Sequence, residues 1–456
     1  MTGFIVSIIV TIIAARFIVK NYQPQTVLLI AGFVLLTATA IFFPGQSILY
    51  GKVKSVGWAG FDIFAFAKES LTTQIAGIGL IIMAAGGFAD YMDHIKASNA
   101  MVNLCIKPLR LIKAPYVILA VGYVFGQILH VAISSAAGLA MLLLVTFFPI
   151  LVRLGVSKAA AAAMIGMTAF MDMGPAVGTA NLAAERSGME SAVYFVQYQI
   201  PVAVGVMLVV AVLIYFTARY HDKKEGHVVA ALEETAEQKA EDNAAPAFYS
   251  LLPVIPIALV LVFSPLLVKS VKMHVVTAMI VGAALALVCE LLVKRDLKGA
   301  FKGFQVFFSG MGKMFTSVVS LLVCADVFAQ GFQATGAMTF IIGSVQGAGL
   351  GVNTMTVVMT LLVGVTAAIT GSGVAAFFAF SKLAPDIAAS FGASAVSMIL
   401  PMQLTAGMGR AISPVAGVII AVSKSGECSP FKIVQRTLIP GIGGMLTMLI
   451  LNFVVF

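Results

Sequence analysis

Charged positions along this chain come in bunches, and the uncharged runs between them are long enough to cross a bilayer, which takes a helix of about 20 apolar residues. With Asp, Glu, Lys and Arg as boundaries, the runs 21–51, 70–89, 191–218, 243–268, 273–289, 387–409 and 437–456 each predict one membrane helix. The stretch 2–18 predicts another, because no basic region precedes it and Arg16 and Lys20 lie at its far end, the reverse of a secretory signal. Two runs, 114–152 with 39 residues and 327–381 with 55, are too long for one crossing and must fold back or cross more than once. The pattern predicts an all-α polytopic membrane protein.

Between Arg219 and Asp242, 11 charges, seven of them acidic, fall within 24 residues, with an apolar run on either side. This stretch reads as a linker, 220–246, between a first part, 1–219, and a second, 247–456. Residues 232–242 are acidic and alanine-rich and predict at most a surface helix. Arg219, Lys223 and Lys224 follow the run 191–218 directly, which places the linker in the cytoplasm by the positive-inside rule. Arg16 and Lys20 after the first helix put the N-terminus outside. Lys432 and Arg436 before the last put the C-terminus there too. Each part therefore crosses the membrane an odd number of times.

The two parts share landmarks at a nearly constant spacing. Ala132-Ile133-Ser134 answers Ala368-Ile369-Thr370 and Pro149 answers Pro385, all 236 apart; Pro175, Gly178, Pro201 and Gly205 answer Pro414, Gly417, Pro440 and Gly444, all 239 apart. A duplicated unit with an odd number of crossings must be inverted in its second copy. Inverted-topology repeats are a transporter architecture, with the substrate near the midplane at broken helices.

Composition agrees: 60% of residues are hydrophobic and 10% charged, against about 25% charged in a soluble domain. A secreted disulfide scaffold, a nucleic-acid-binding domain and a disordered chain are excluded, and the net +9 is loop bias rather than a nucleic-acid footprint. Cys105, Cys289, Cys324 and Cys428 are scattered and suit packing. Neither a Walker loop, a nucleophile–base pair nor a metal cluster stands out, so the chain reads as neither an enzyme nor an ATP-driven pump, with no cofactor.

Candidate chemistry falls on the duplicated landmarks. Ser134-Ser135 and Thr370-Gly371-Ser372-Gly373 lie inside the over-long runs, where small hydroxyl residues and glycine suit the tips of re-entrant hairpins that offer donors to an anion. Asp172 to Asn181, with Pro175, Gly178 and Thr179, and Gly407 to Gly417, with Ser413 and Pro414, read as unwound helices. Their N–H groups would face an anionic substrate and their freed carbonyls a cation. Arg410 stands 23 uncharged residues after Asp386, and its fork matches a carboxylate. Asp172 and Asp326 are the acidic counterparts, suited to a coupling Na⁺ or proton, or to a helix end. His130 reads as a proton relay or as a satisfied membrane histidine.

The segments Arg16 to Lys20, Lys107-Pro108-Leu109 with Ala114-Pro115-Tyr116, Ser134-Ser135-Ala136, Ala245 to Tyr249, Val327 to Gly331, Thr370 to Gly373, Gly409-Arg410 with Ser413-Pro414-Val415, and Ser429-Pro430-Phe431 together resemble the anaerobic C4-dicarboxylate carriers of the Dcu C group, within the ion transporter superfamily. The resemblance runs end to end, departing at Asp172 and Asp326. It implies a bacterial inner-membrane secondary carrier of succinate, fumarate, malate and aspartate, serving succinate efflux and fumarate–succinate exchange by antiport or cation coupling. It further implies scaffold and transport domains, elevator-like movement, a homodimer, and a dicarboxylate held between the hairpin tips and the unwound segments. A carrier of another organic anion or amino acid, and a passive anion channel, are the competing readings.

Overall fold

The computed structural model describes every residue except 1, 21, 44–47, 50–52, 228–244, 269 and 348–350, and among the described residues every regular element is a helix. The predicted surface helix at 232–242 lies outside the described residues. Eight helices are long and apolar enough to cross a bilayer: Pro24–Phe42, Ala59–His94, Pro115–Ala132, Ser191–Lys224, Val275–Lys294, Leu297–Ala334, Val352–Thr370 and Pro430–Val455.

Several helices overrun the charges expected to bound them. Ala59–His94 starts eleven residues before the run 70–89. Its first turn can hold charge because Asp62 turns inward, accepting from Ser55 Oγ at 2.8 Å and Val56 N–H at 2.7 Å, while Lys68 and Glu69 pair on the exposed side. At about 1.5 Å per residue, its 36 residues run about 54 Å, well beyond a hydrocarbon core of about 30 Å. The excess is taken up partly by a bend. Ile75–Gly79 is a π-helical turn in which Gly77 leaves helical dihedrals, at φ −92° and ψ −116°. Leu297–Ala334 carries a matching π turn at Phe315–Val319, 240 residues on, and the two turns touch.

The element order runs twice. Two leading helices (Thr2–Val19 and Pro24–Phe42; Ala247–Val262 and Val275–Lys294) precede the long π-bent helix and a short one (Ala97–Ile106; Ala337–Gly347). A hairpin follows (Pro115–Ala132 with Ala136–Thr146; Val352–Thr370 with Gly373–Ser381). Next come an interrupted helix (Lys158–Gly166 and Gly178–Arg186; Ala395–Ala411 and Gly417–Ser425) and a long last helix (Ser191–Lys224; Pro430–Val455).

Packing sorts these elements into two bodies. In one, the leading helices surround the π-bent pair. Small residues set the approach: a Cβ on Gly32 would lie 2.8 Å from Phe328 N, and one on Gly310 would lie 2.9 Å from Gly87 Cα. The second body holds the hairpins, the interrupted helices and the two last helices. There each interrupted helix lays its second piece on the first piece of the other: Gly178–Arg186 on Ala395–Ala411, and Gly417–Ser425 on Lys158–Gly166.

An ionic clamp closes one end of the second body. Buried Arg436 donates to buried Asp222 at 2.7 Å, and Ser157 Oγ donates to the same oxygen at 2.6 Å. Glu225 receives Lys432 at 2.8 Å and Arg436 at 3.1 Å. The basic clusters that the sequence placed on one face are therefore neighbours. Asp222→Ala would leave the buried Arg436 cation with only Glu225 as a partner, a loss of up to about 3–5 kcal/mol. The expected result is a clearly lower thermal midpoint for the purified protein in detergent, with Arg436→Met plus Asp222→Leu recovering most of it.

Candidate substrate site

The opened backbone of the first interrupted helix lies against the second interrupted helix. Lys158–Gly166 gives way to non-helical backbone through Val177, held open by Pro175, which has no N–H, and by Gly174, whose φ of +106° favours glycine. Against this segment lies Gly407 of the other interrupted helix, where a Cβ would sit 2.7 Å from the Phe170 carbonyl oxygen. That close approach lets Arg410, one turn on, reach across. Its Nη2 donates to Asp172 Oδ1 at 2.9 Å and to the Ala169 carbonyl at 2.7 Å, and its Nη1 to Asp172 Oδ2 at 3.3 Å. His130, fully buried in the first hairpin, brings Nε2 to 3.3 Å from Asp172 Oδ1 and Nδ1 to 3.0 Å from the Ile133 carbonyl at the tip. Arg410, Asp172 and His130, three separate candidates in the sequence, form one buried group.

Several of the carbonyls at the first break are already used. Gln127 donates to Met167 O at 3.0 Å, Asn181 to Pro175 O and Val177 O at 2.9 Å each, and Gln403 to Asp172 O. Gln199 accepts from Gly174 N–H at 3.1 Å and donates to Gln403 Oε1 at 2.8 Å; Tyr194 donates to the same oxygen at 3.4 Å. Side-chain amides serve these carbonyls, and Asn181 is committed to two of them. Gln127, Tyr194, Gln199 and Gln403 were not singled out in the sequence. The available signal was an amide inside an uncharged apolar run.

The second break is shorter than expected. The helix Ala395–Ala411 runs on through Gly407, Gly409 and Arg410, and only 412–416, with Ser413 and Pro414, is unwound. Gly409 accounts for the difference, since it packs its Cα face on the Gly364 carbonyl of the hairpin and needs no opened turn to do so. The second hairpin tip meets this break: Gly371, at φ +73°, stands where a Cβ would be 2.8 Å from Ala416 N. The N-termini of Gly373–Ser381 and Gly417–Ser425 are therefore adjacent, two positive dipole ends side by side.

At both tips the serines cap the next helix. Ser135 Oγ accepts from Gly138 N–H at 3.1 Å and Ser372 Oγ from Ala375 N–H at 3.2 Å, which leaves each hydroxyl proton free to donate. Thr370 Oγ1 donates to Thr366 O at 2.7 Å. Ser134 is half-buried and Ser135 exposed. Gly178 is the first residue of its helix. Thr179, in that first turn, and Ser413, in the other break, are 2% and 0% exposed, and their hydroxyls have no hydrogen-bond partner among the described protein atoms. A cavity of about 430 Å³ opens beside this first break, lined by Gly77, Asn181, Glu185, Ser191, Lys272 and His274.

Asp326 has other partners. Lys382 Nζ lies 2.7 Å from its Oδ1 and Ser70 Oγ donates to its Oδ2 at 2.7 Å.

Over residues 3–456 the chain matches the family model described as C4-dicarboxylate anaerobic carrier, DcuC. It is 35% identical over 451 residues to the probable anaerobic C4-dicarboxylate transporter DcuC of Vibrio cholerae, covering 99% of this chain and 97% of that protein. To the anaerobic C4-dicarboxylate transporter DcuC of Escherichia coli K12 it is 33% identical over 446 residues, covering 98% and 95%. Among solved structures it is similar to the YdaH transporter of Alcanivorax borkumensis, with a TM-score of 0.64 at 14% identity over 95% of this chain and 98% of that one. MtrF of Neisseria gonorrhoeae gives a TM-score of 0.62 at 15% identity, covering 94% of each. At these identities the likeness to the two structures is one of fold.

Proposed function

We propose, from the premise that the chain belongs to the C4-dicarboxylate anaerobic carrier family, that it is a secondary carrier exchanging succinate for fumarate, malate or aspartate across the bacterial inner membrane. Family membership makes it a multi-pass membrane transport protein of the dicarboxylate class rather than an enzyme. The finer reading rests on its geometry.

With each hairpin re-entrant and the interrupted helix counted once, each half has five crossing elements, so the second half is the first in inverted orientation, with both termini periplasmic and the linker cytoplasmic. Contacts between repeat-equivalent positions support a two-fold relation: the π turns touch, and Asp172 meets Arg410 at a separation of 238, close to the spacing of the landmarks. The body of leading and π-bent helices is the scaffold. The body of hairpins and interrupted helices is the transport domain, which carries the substrate past it.

The observation that carries the site is that each break carries a buried, unpartnered hydroxyl, Thr179 in the first turn after the first break and Ser413 within the second. A buried hydroxyl is costly unless hydrogen-bonded, and substrate carboxylates supply the acceptors. The substrate's two ends lie between these hydroxyls, the N–H groups at Gly178 and Gly373, and the tip serines Ser134, Ser135 and Ser372. Arg410 is a positioning residue here. With its fork filled by Asp172, it pins the crossing and keeps the site uncharged enough to release its cargo.

Uptake of labelled succinate into proteoliposomes tests this. A carrier saturates, and internal succinate or fumarate stimulates uptake several-fold; varying Na⁺ and pH identifies the coupling ion. Uptake without any stimulation by internal dicarboxylate would mark a channel and overturn the proposal.

A further inference from the structure

Charge pairing between the two bodies is sparse and one-sided. Of the ion pairs among the described residues, only Lys382–Asp326 joins one body to the other. Asp326 lies on the π-bent helix Leu297–Ala334 of the scaffold, and Ser70 of the other π-bent helix holds its second oxygen at 2.7 Å. Lys382 ends the descending arm of the second hairpin, its ammonium 2.7 Å from the carboxylate and 5.3 Å from the centre of the Phe66 ring. A second contact follows close by, where Gln333 Nε2 donates to Asp386 Oδ2 at 3.0 Å.

The first half has no counterpart. Counting back by the 240 residues that separate the π turns puts Gly86 in the place of Asp326. Counting back by the 236 that separate the hairpin landmarks puts Thr146 in the place of Lys382. In agreement, Gly373–Ser381 packs broadly on the scaffold helix Ser320–Ala334, whereas Ala136–Thr146 makes no comparable contact with Leu80–His94.

We propose that Asp326, Ser70 and Lys382 form a one-sided ionic latch that holds the second hairpin against the scaffold and sets the balance between the two end states of transport. The inference rests on the two-body reading above. In an inverted repeat the end states would be nearly equivalent if the halves were identical, so a charge pair present on one side alone biases the equilibrium toward the state that makes it. Moving the hairpin off the scaffold separates the charges, and the carrier must break this contact once in each cycle.

The test uses the full chain with its four native cysteines replaced and a cysteine pair at positions 333 and 386, reconstituted in liposomes. Disulfide formation between them reports the latched state, and labelled-succinate counterflow reports transport. With Asp326 and Lys382 intact, cross-linking should be fast and should block counterflow reversibly. Lys382→Met, and the neutral pair Asp326→Asn with Lys382→Gln, should each slow cross-linking at least threefold. The exchanged pair Asp326→Lys with Lys382→Asp should restore it to within about twofold. If Lys382→Met does not fold, the two paired variants decide. Unchanged cross-linking in the neutral pair, with counterflow still blocked by the disulfide, would overturn the latch and leave the two-body reading standing. A disulfide that leaves counterflow intact would overturn both.

Discussion

Asp172→Ala is expected to reduce succinate counterflow more than a hundredfold and to lower the yield of folded protein. The carboxylate is 3% exposed and receives both arms of the Arg410 fork. Without it, a guanidinium is left at the helix crossing with only the Ala169 carbonyl as a partner, and stranding a buried charge costs about 3–5 kcal/mol. The informative variant is the double one. Asp172→Leu with Arg410→Met removes both charges at similar volume, a replacement that buried ion pairs often tolerate, and should recover folding. If Arg410 acts only by pinning the crossing, counterflow should return to within about tenfold of the unmodified protein. A folded double variant with no counterflow would instead assign Arg410 to the substrate. Arg410→Lys keeps the charge but loses the planar fork, so it should fall between the two, with about a tenfold loss.

Much of this architecture was legible in the charges. Long uncharged runs located the hairpins, because no single crossing accounts for 39 or 55 residues, and proline with glycine located the breaks. Boundaries were less legible, since charge was used as a fence. Ala59–His94 shows why that fails: a helix can carry Asp62 inward and Lys68 outward and continue. The candidate residues were legible in the sequence, but their partners were not. Asp172 and Arg410 each stood out as a charge in an apolar setting, yet their pairing depends on a contact 238 residues long. The clue was in the spacing, since the separation of this pair is close to the 236 and 239 of the landmarks. The glutamines escaped notice for a different reason. Gln199, at the end of the π turn Tyr194–Gln199, and Gln403, inside Ala395–Ala411, carry no charge, and the opened backbone of the neighbouring helix gives them work. Asp326 reads equally well from the sequence as a cation site or a helix end, and its partner Lys382 lies at the far edge of a 55-residue run, where its charge only bounds the run.

The second large effect is expected at the hairpin tips, where two functions of one hydroxyl must be separated. Ser372 Oγ caps its helix through Ala375 N–H, so Ser372→Ala removes a cap worth about 1 kcal/mol and also the proton that can donate to a carboxylate. A hydrogen bond to a charged group is worth about 1.5–3 kcal/mol, so the apparent affinity for succinate should fall roughly tenfold to a hundredfold. Ser135→Ala should behave alike, since Ser135 caps Gly138 in the same way. Threonine keeps both the cap and the donor, whereas glycine at a cap position costs only a few tenths of a kcal/mol and supplies no donor. Ser372→Thr should therefore retain affinity and Ser372→Gly should lose it while folding normally. That contrast assigns the loss to substrate rather than to the helix. Equal succinate affinity in well-folded Ser135→Ala, Ser372→Ala and Ser372→Gly proteins would remove the hairpin tips from the site and leave Thr179 and Ser413 as its remaining hydroxyl donors.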